Sequence, residues 1–274
     1  MKKIPHYKKI IPHPAVPGML SVIVPVFRCK TIAKNLKTID KYLNQGPYPY
    51  EILCVIDGLK GSKDDSAIKA KKVASDNIKV YAYSKNRGKG YAVRFGMARA
   101  KGGLIAFIDA GGDLNVSGIS LALEHMKWYN ADIIVGSKRH KASRVNYPLK
   151  RRLLSIVVQL ATRFTFGINV SDTQTGLKLF RREVLEQVLP RLVVKRWAFD
   201  LEILTVANRL GFKRIYESPV EISYNFDSNV GGTAVLNFTI DYLAIFYRAH
   251  ILHYYDSEHQ ALWQDDPRLR MRYK

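Results

Sequence analysis

Strand and helix signals alternate along the first half of this chain, which predicts an α/β protein built on a mostly parallel, doubly wound sheet. Three observations carry that expectation. Short apolar runs recur at 20–26, 51–56, 78–83, 104–108 and 133–136, each too continuous for a strand with one wet face and suited to one buried on both. Helical patterns separate them at 31–43, 66–75, 91–100 and 117–129. The chain of 274 residues, 47% hydrophobic and 24% charged, suffices for one large domain and an appendage, and its composition is that of a globular protein.

The elements follow in order. Residues 1–18 hold four prolines and four lysines and read as an irregular basic leader, with regular structure starting at Leu20. The main domain is expected over 19–226. In its second half a helix over 150–166 starts basic and continues apolar; a short strand follows at 176–180, a helix at 200–210, and a strand ending at Pro219 and Val220. A long helix near 235–255 is rich in aromatic residues, among them Phe238, Tyr242, Phe246 and Tyr247. It suits either core packing or docking at a membrane interface, where amphipathic rings sit at headgroup depth. With the charged tail at 256–274 it forms a C-terminal unit, 227–274.

The charge balance narrows the partners. Lys and Arg number 44 against 23 Asp and Glu, a net charge of +21, which favours polyanions: nucleic acid, phosphorylated substrates or an anionic membrane face. Between Asp132 and Asp172 there is no acid, while Lys138, Arg139, Lys141, Arg144, Lys150, Arg151, Arg152 and Arg163 fall there. The interval is either a solvated basic face or a surface for phosphate and lipid headgroups. Helix-turn-helix, zinc and RNP signatures are missing, so a nucleic-acid partner is not expected. Cys29 and Cys54 form no disulfide framework, no apolar stretch follows the basic N-terminus, and no uncharged apolar run reaches the roughly 18 residues of a spanning helix. The expected location is cytoplasmic, with any membrane contact peripheral and on the cytoplasmic face.

In open α/β sheets ligands bind beyond the carboxyl ends of the strands. No G-x-G-x-x-G follows the first strand and no Walker A loop is present, which disfavours a dinucleotide-binding oxidoreductase and a P-loop NTPase. Polar groups stand at the strand ends instead. Asp57 closes the second strand and suits either a hydrogen bond to a base or ribose or a turn and helix cap. Asn86-Arg87-Gly88-Lys89-Gly90 follows the third: its glycines let backbone approach a ligand, and Arg87 and Lys89 can neutralise phosphate. Asp109-Ala110-Gly111-Gly112-Asp113 closes the fourth, where carboxylates suit a divalent ion bridging a diphosphate or simply form a turn.

These segments carry a resemblance. SVIVPVF at 21–27, EILCVIDG at 51–58, NRGKGYAVRFGMARAKG at 86–102 and IAFIDAGGDL at 105–114 resemble the inverting family-two nucleotide-sugar glycosyltransferases of GT-A fold. VGSKRH at 135–140, YPLKRRLLS at 147–155, DTQTGLKLFRREV at 172–184, AFDLEIL at 198–204 and ESPV at 217–220 extend the likeness to dolichyl- or polyprenyl-phosphate mannose and glucose synthases. The resemblance implies a hexosyl transfer, with inversion, from a nucleotide sugar (UDP-glucose or GDP-mannose) to a polyprenyl or dolichyl phosphate at an anionic membrane surface. It places Pro25 and Phe27 in the base pocket, Asp57 against the base, and Arg87, Lys89 and Asp109 at the donor. Asp172, Gln174 and Thr175 fall beneath the transferred sugar and acceptor. Asp200 falls where related processive enzymes keep an acceptor-side carboxylate, a candidate base. Lys138, Arg151 and Arg152 would orient the acceptor phosphate, which is ionised near neutral pH and can dispense with a base.

The chain departs from the pattern at three places. Gly111 replaces the second acid of the family's D-x-D, Ile56 replaces one of its paired acids after the second strand, and Arg28-Cys29 replaces the usual Asn-Glu. A site for Mg2+ or Mn2+ would then draw on Asp109 with Asp113 or Gln174, or basic residues would take the ion's place. A non-catalytic relative that keeps the donor site is the other reading of Gly111.

Overall fold

The structure is a computed structural model that describes residues 16–59, 65–145, 149–223 and 232–257. The leader before residue 16 and the tail beyond 257 lie outside the described residues, as do the side chains of 149–155. Nine strands and eight helices are described: β1 (Val16–Val26), α1 (Ile32–Leu43), β2 (Tyr50–Asp57), α2 (Ser66–Lys71), β3 (Ile78–Tyr83), α3 (Lys89–Met97), β4 (Gly102–Ile108), α4 (Ser117–Trp128), β5 (Ile133–Ser137), β6 (Arg144–Val145), α5 (Leu149–Phe166), β7 (Leu177–Arg181), α6 (Arg182–Val188), α7 (Phe199–Arg209), β8 (Ile215–Pro219), β9 (Glu221–Ile222) and α8 (Gly232–Phe246).

Seven strands form the main sheet in the order β3-β2-β1-β4-β7-β5-β8, and β6 pairs with β9 in a small parallel ribbon. The pairs β3-β2, β2-β1, β1-β4 and β5-β8 are parallel, as expected; β7 runs antiparallel between β4 and β5. Its reversal brings the start of β7, and the loop that leads into it, to the edge where the parallel strands end.

The apolar strands β1, β2, β4 and β5 are largely buried on both faces, whereas β3, at the sheet edge, leaves Lys79 exposed and its middle half-buried. Along β1, Val22, Val24 and Val26 pack with α1, α2 and α4 through Ile32, Leu36, Ala67 and Ile119, whereas Ile23 points to the opposite core with α3, α6 and α7 through Val93, Leu185 and Leu201. Burying a side chain of this size contributes roughly 1.5–3 kcal/mol, so the two cores fix the sheet position of every strand end.

Two details depart from the sequence reading. Strand β1 begins at Val16, earlier than the expected Leu20. The expected single helix over 235–255 stops at Phe246, passes through a π-helical turn at Tyr247–Ile251, and breaks at His253, whose φ is 49°. The break turns the chain inward, so that Tyr255 is fully buried and its hydroxyl donates to Glu202 at 2.8 Å.

Candidate active site

The loop after β3 is shaped by Asp57. This carboxylate is 2% exposed and accepts four hydrogen bonds: from the Tyr83 hydroxyl at 2.8 Å, Asn86 Nδ2 at 3.0 Å, and the backbone N–H of Arg87 at 2.7 Å and Gly88 at 2.8 Å. All its partners lie within the chain, so Asp57 ties the end of β2 to the loop. Gly88 has φ of 100°, a conformation that favours glycine, and a Cβ there would stand 2.4 Å from the Lys195 carbonyl oxygen. The loop thus lies flat against the segment before α7.

Four alternating charges form the floor of the site. Lys89 Nζ, at the start of α3, lies 2.9 Å from Asp109 Oδ1 at the end of β4 and 3.4 Å from Asp200 Oδ2 in the first turn of α7. Lys178 Nζ, on β7, lies 2.6 Å from Asp200 Oδ1 and donates to the Thr175 carbonyl at 2.8 Å. Burial lowers the affinity of Lys89 for its proton, but Asp109 and Asp200 outweigh it and raise the pKa well above the ordinary lysine range. Lys178 goes the other way: burial dominates and pulls its pKa down. Phe107 lies beneath both ammonium groups, its ring centroid 5.4 Å from Lys89 Nζ and 5.2 Å from Lys178 Nζ.

Asp200 is the residue that the resemblance offers as a base. Its residue is 1% exposed and its carboxylate is shared by two ammonium groups, which makes it a counter-ion that holds them in place. The sequence reading did not select Lys178, although a lysine inside the apolar run Leu177–Arg181 was the available signal. A charge in a central strand needs a buried partner.

The loop into β7 carries Asp172, Gln174 and Thr175. Asp172 accepts from Gln174 N–H at 3.0 Å, Thr175 Oγ1 at 2.5 Å and Lys138 N–H at 3.2 Å, with Lys138 Nζ at 3.4 Å. Burial disfavours its charge, yet the Lys138 ammonium and these hydrogen bonds hold its carboxyl below the usual range. Glu217 on β8 accepts from the N–H and hydroxyl of Ser171, both at 2.6 Å, and accounts for the acid in the 217–220 motif. The Gln174 side-chain nitrogen is buried with no hydrogen-bond partner among the described residues. Gly176 is dictated by closeness: a Cβ there would lie 2.0 Å from Asp109 Oδ2.

At the end of β1, Phe27 is 49% exposed and carries the Arg28 guanidinium 5.0 Å from its centroid, an open aromatic face at the place assigned to the base. Pro25 pairs with Val55 in the β1-β2 ladder behind it. Arg28 has φ of 52°, strained for an arginine. Cys29 Sγ donates to the Ala110 carbonyl at 3.2 Å, which fastens this turn to the loop after β4.

The fit of a divalent ion can be judged from the donor set. Among the described residues no group of three or more His, Cys, Asp or Glu is arranged to hold a metal. One oxygen of Asp109 faces Lys89 and the other lies against Gly176; position 111 has no side chain, and Asp113 Oδ2 lies 3.2 Å from where its Cβ would stand. A hard cation wants several free anionic oxygens, so these residues fit one poorly, and Lys89 already supplies positive charge there.

The side chains of Arg151 and Arg152 lie outside the described residues, though α5 itself places both in its first turn. Farther along α5, Val157, Leu160 and Phe164 are exposed, Phe164 to 87%. On α8 and its π-turn, Leu236, Ile240, Leu243, Tyr247 and Ile251 are exposed at helical spacing. The helices meet where the Thr165 and Tyr242 hydroxyls lie 2.6 Å apart and His250 Nε2 approaches the Thr165 carbonyl at 2.6 Å. No helix among the described residues is long and apolar enough to cross a membrane.

A mostly parallel sheet with one reversed strand, gathering lysines and carboxylates beside an open aromatic, is the architecture of the GT-A nucleotide-sugar transferases. Solved structures agree on the fold: glucosyl-3-phosphoglycerate synthase from Mycobacterium tuberculosis in complex with UDP superposes with a TM-score of 0.64 at 15% identity, over 88% of this chain and 81% of that one. Mannosyl-3-phosphoglycerate synthase from Rubrobacter xylanophilus gives 0.64 at 15%, over 84% and 73%. The chain belongs to glycosyl transferase family 2, whose model matches residues 21–189, and it is a nucleotide-sugar-dependent transferase. Similar curated proteins are a dolichyl-phosphate beta-glucosyltransferase of Trichomonas vaginalis, 32% identical over 89% of this chain and 78% of its own length, and that of Homo sapiens, 32% identical over 79% and 69%.

Proposed function

We propose that this enzyme transfers glucose from UDP-glucose to dolichyl phosphate or a close polyprenyl phosphate, with inversion. The observation that carries the reading is the Asp109–Lys89–Asp200–Lys178 row, whose fixed ammonium groups suit a site for two phosphorylated substrates. The names of the similar curated proteins favour glucose over mannose and dolichyl phosphate over a soluble acceptor.

The donor base packs on Phe27, and the diphosphate lies along the loop that Asp57 holds, within reach of Arg87 and Lys89. An acceptor phosphate oxygen attacks the anomeric carbon from the face opposite the diphosphate. The C–O bond to the diphosphate breaks, and UDP leaves with the electron pair. No proton has to be removed from an ionised phosphate, so the chain's work is positioning and charge neutralisation. Lys138 orients the acceptor with Arg151 and Arg152, Asp172 and Thr175 hold that loop, and the free Gln174 donor meets a sugar hydroxyl or phosphate oxygen.

The lipid phosphate requires the enzyme at a membrane surface. The apolar stripes of α5 and α8, beside the acid-free basic segment, suit an anionic cytoplasmic leaflet, each Lys or Arg contributing about 1 kcal/mol. The test is transfer of label from UDP-glucose and GDP-mannose to dolichyl phosphate, with flotation on anionic and neutral liposomes at two salt concentrations. Glucosyl lipid from UDP-glucose, and salt-sensitive binding to anionic vesicles, are expected. Mannosyl lipid alone would sink the donor assignment; product on a soluble phosphate alone, with no vesicle binding, would sink the acceptor.

A further inference from the structure

One large aromatic stands exposed beside the charge row. Trp197 is 60% exposed, yet the loop that carries it is tied down on both sides. Before it, the N–H groups of Val193 and Val194 donate to Glu202 at 2.9–3.0 Å, and the Lys195 carbonyl accepts from Tyr91 N–H at 3.1 Å. After it, Ala198 and Phe199 are buried, and Phe199 packs so closely on Gly90 that a Cβ there would lie 2.5 Å away. The backbone that presents the indole is therefore held in place although much of the residue is exposed.

The Trp197 ring centroid lies 5.7 Å from Lys89 Nζ, the ammonium shared by Asp109 and Asp200. The charge of the preceding residue, Arg196, acts on Asp241 of α8, the helix that bears an exposed apolar stripe. Trp197 thus lies beside the charge row, and the residue before it feels the charge of the apolar helix. A lipid phosphate has to satisfy both, because its phosphate belongs among the charges while the first carbons of its chain need apolar cover on the way out. An indole gives a large apolar area at low conformational-entropy cost.

We propose that Trp197 is the platform on which the first isoprene unit of the acceptor lies, and that it makes the site selective for prenyl phosphates. This rests on the lipid-phosphate reading of the acceptor. The experiment compares wild type, Trp197→Ala and Trp197→Phe by calorimetry with UDP-glucose and by transfer to dolichyl phosphate in detergent at saturating donor. For Trp197→Ala, UDP-glucose affinity should stay within about twofold while KM for dolichyl phosphate rises about tenfold; Trp197→Phe should recover most of the loss. An unchanged KM in Trp197→Ala overturns the platform, and so does a loss of UDP-glucose affinity as large as the acceptor effect, which would put the ring on the donor side. If wild type binds UDP-glucose but transfers nothing to dolichyl phosphate, the acceptor reading falls and takes the platform with it.

Discussion

Replacing Lys178 by Met tests whether the charge row holds the site together. Lys178 is fully buried, and its ammonium serves Asp200 at 2.6 Å and the Thr175 carbonyl at 2.8 Å. Methionine fills a similar volume, so the cost is electrostatic. Asp200 keeps only Lys89 at 3.4 Å, and a buried carbonyl loses its donor. Removing one partner of a buried pair costs about 3–5 kcal/mol and the orphaned acceptor adds about 1 kcal/mol, so Lys178→Met should destabilise by roughly 4–6 kcal/mol. The double variant Lys178→Met/Asp200→Asn removes both charges and leaves Lys89 paired with Asp109 at 2.9 Å. It should cost only about 1–2 kcal/mol, less than the single change. Urea denaturation of the two single variants and the double gives the coupling directly. Asp200→Asn alone should recover as pH rises toward the ordinary lysine range, because burial already lowers the Lys178 pKa and the unfolded chain then binds more protons than the folded one. A Lys178→Met variant within about 1 kcal/mol of wild type, or singles that sum to the double, would refute the row as a structural unit.

Three further outcomes are expected. Asp57→Asn puts an amide against N–H donors, so it should cost about 2–4 kcal/mol in stability and weaken UDP binding with it; loss of binding at unchanged stability, by thermal melts and calorimetry, would return Asp57 to direct contact with the base. Dependence on Mg2+ or Mn2+ should be weak in wild type and stronger in Gly111→Asp, whose backbone accepts a side chain if Asp113 shifts slightly; manganese titration followed by electron paramagnetic resonance with UDP present decides it, and micromolar saturation in wild type would count against the poor fit. Asp172 is held below its unfolded pKa, so its contribution is complete above the unfolded value and is lost as pH falls through the lower folded one; Asp172→Asn should therefore lower the melting temperature at pH 7 and converge with wild type as the pH drops past the folded value.

The centre of the sheet was legible because β1, β2, β4 and β5 are largely buried on both faces and so are written as apolar runs, whereas the edge strands β3 and β8 are only partly covered. The reversal of β7 was not, since direction leaves no mark in a run such as Leu177–Arg181. The candidate residues were found in their loops, and the structure gathers Lys89, Asp109 and Asp200 as one group. What each does there depends on partners far away in sequence. Asp57 in a strand-end motif suits a ligand or a clamp equally, and only its four hydrogen bonds separate them. Asp200 reads as a base until Lys178 is seen beside it. The break after α8 has no local signal, because Tyr255 is anchored by Glu202, 53 residues earlier.

The contact of Gly88 and Gly90 with residues 195–199 sets an order of events during synthesis. A nascent chain that ends after α6 already contains β1 through β5 and β7, enough to pair most of the sheet. Its donor loop would still have nothing to lie against, and Lys89 would lack Asp200. Nucleotide binding should then arise late, when the segment leading into α7 leaves the ribosome and closes a loop of more than a hundred residues, a slow step by its contact order. Fragments stopping short of that segment are expected to collapse around the sheet yet stay blind to UDP.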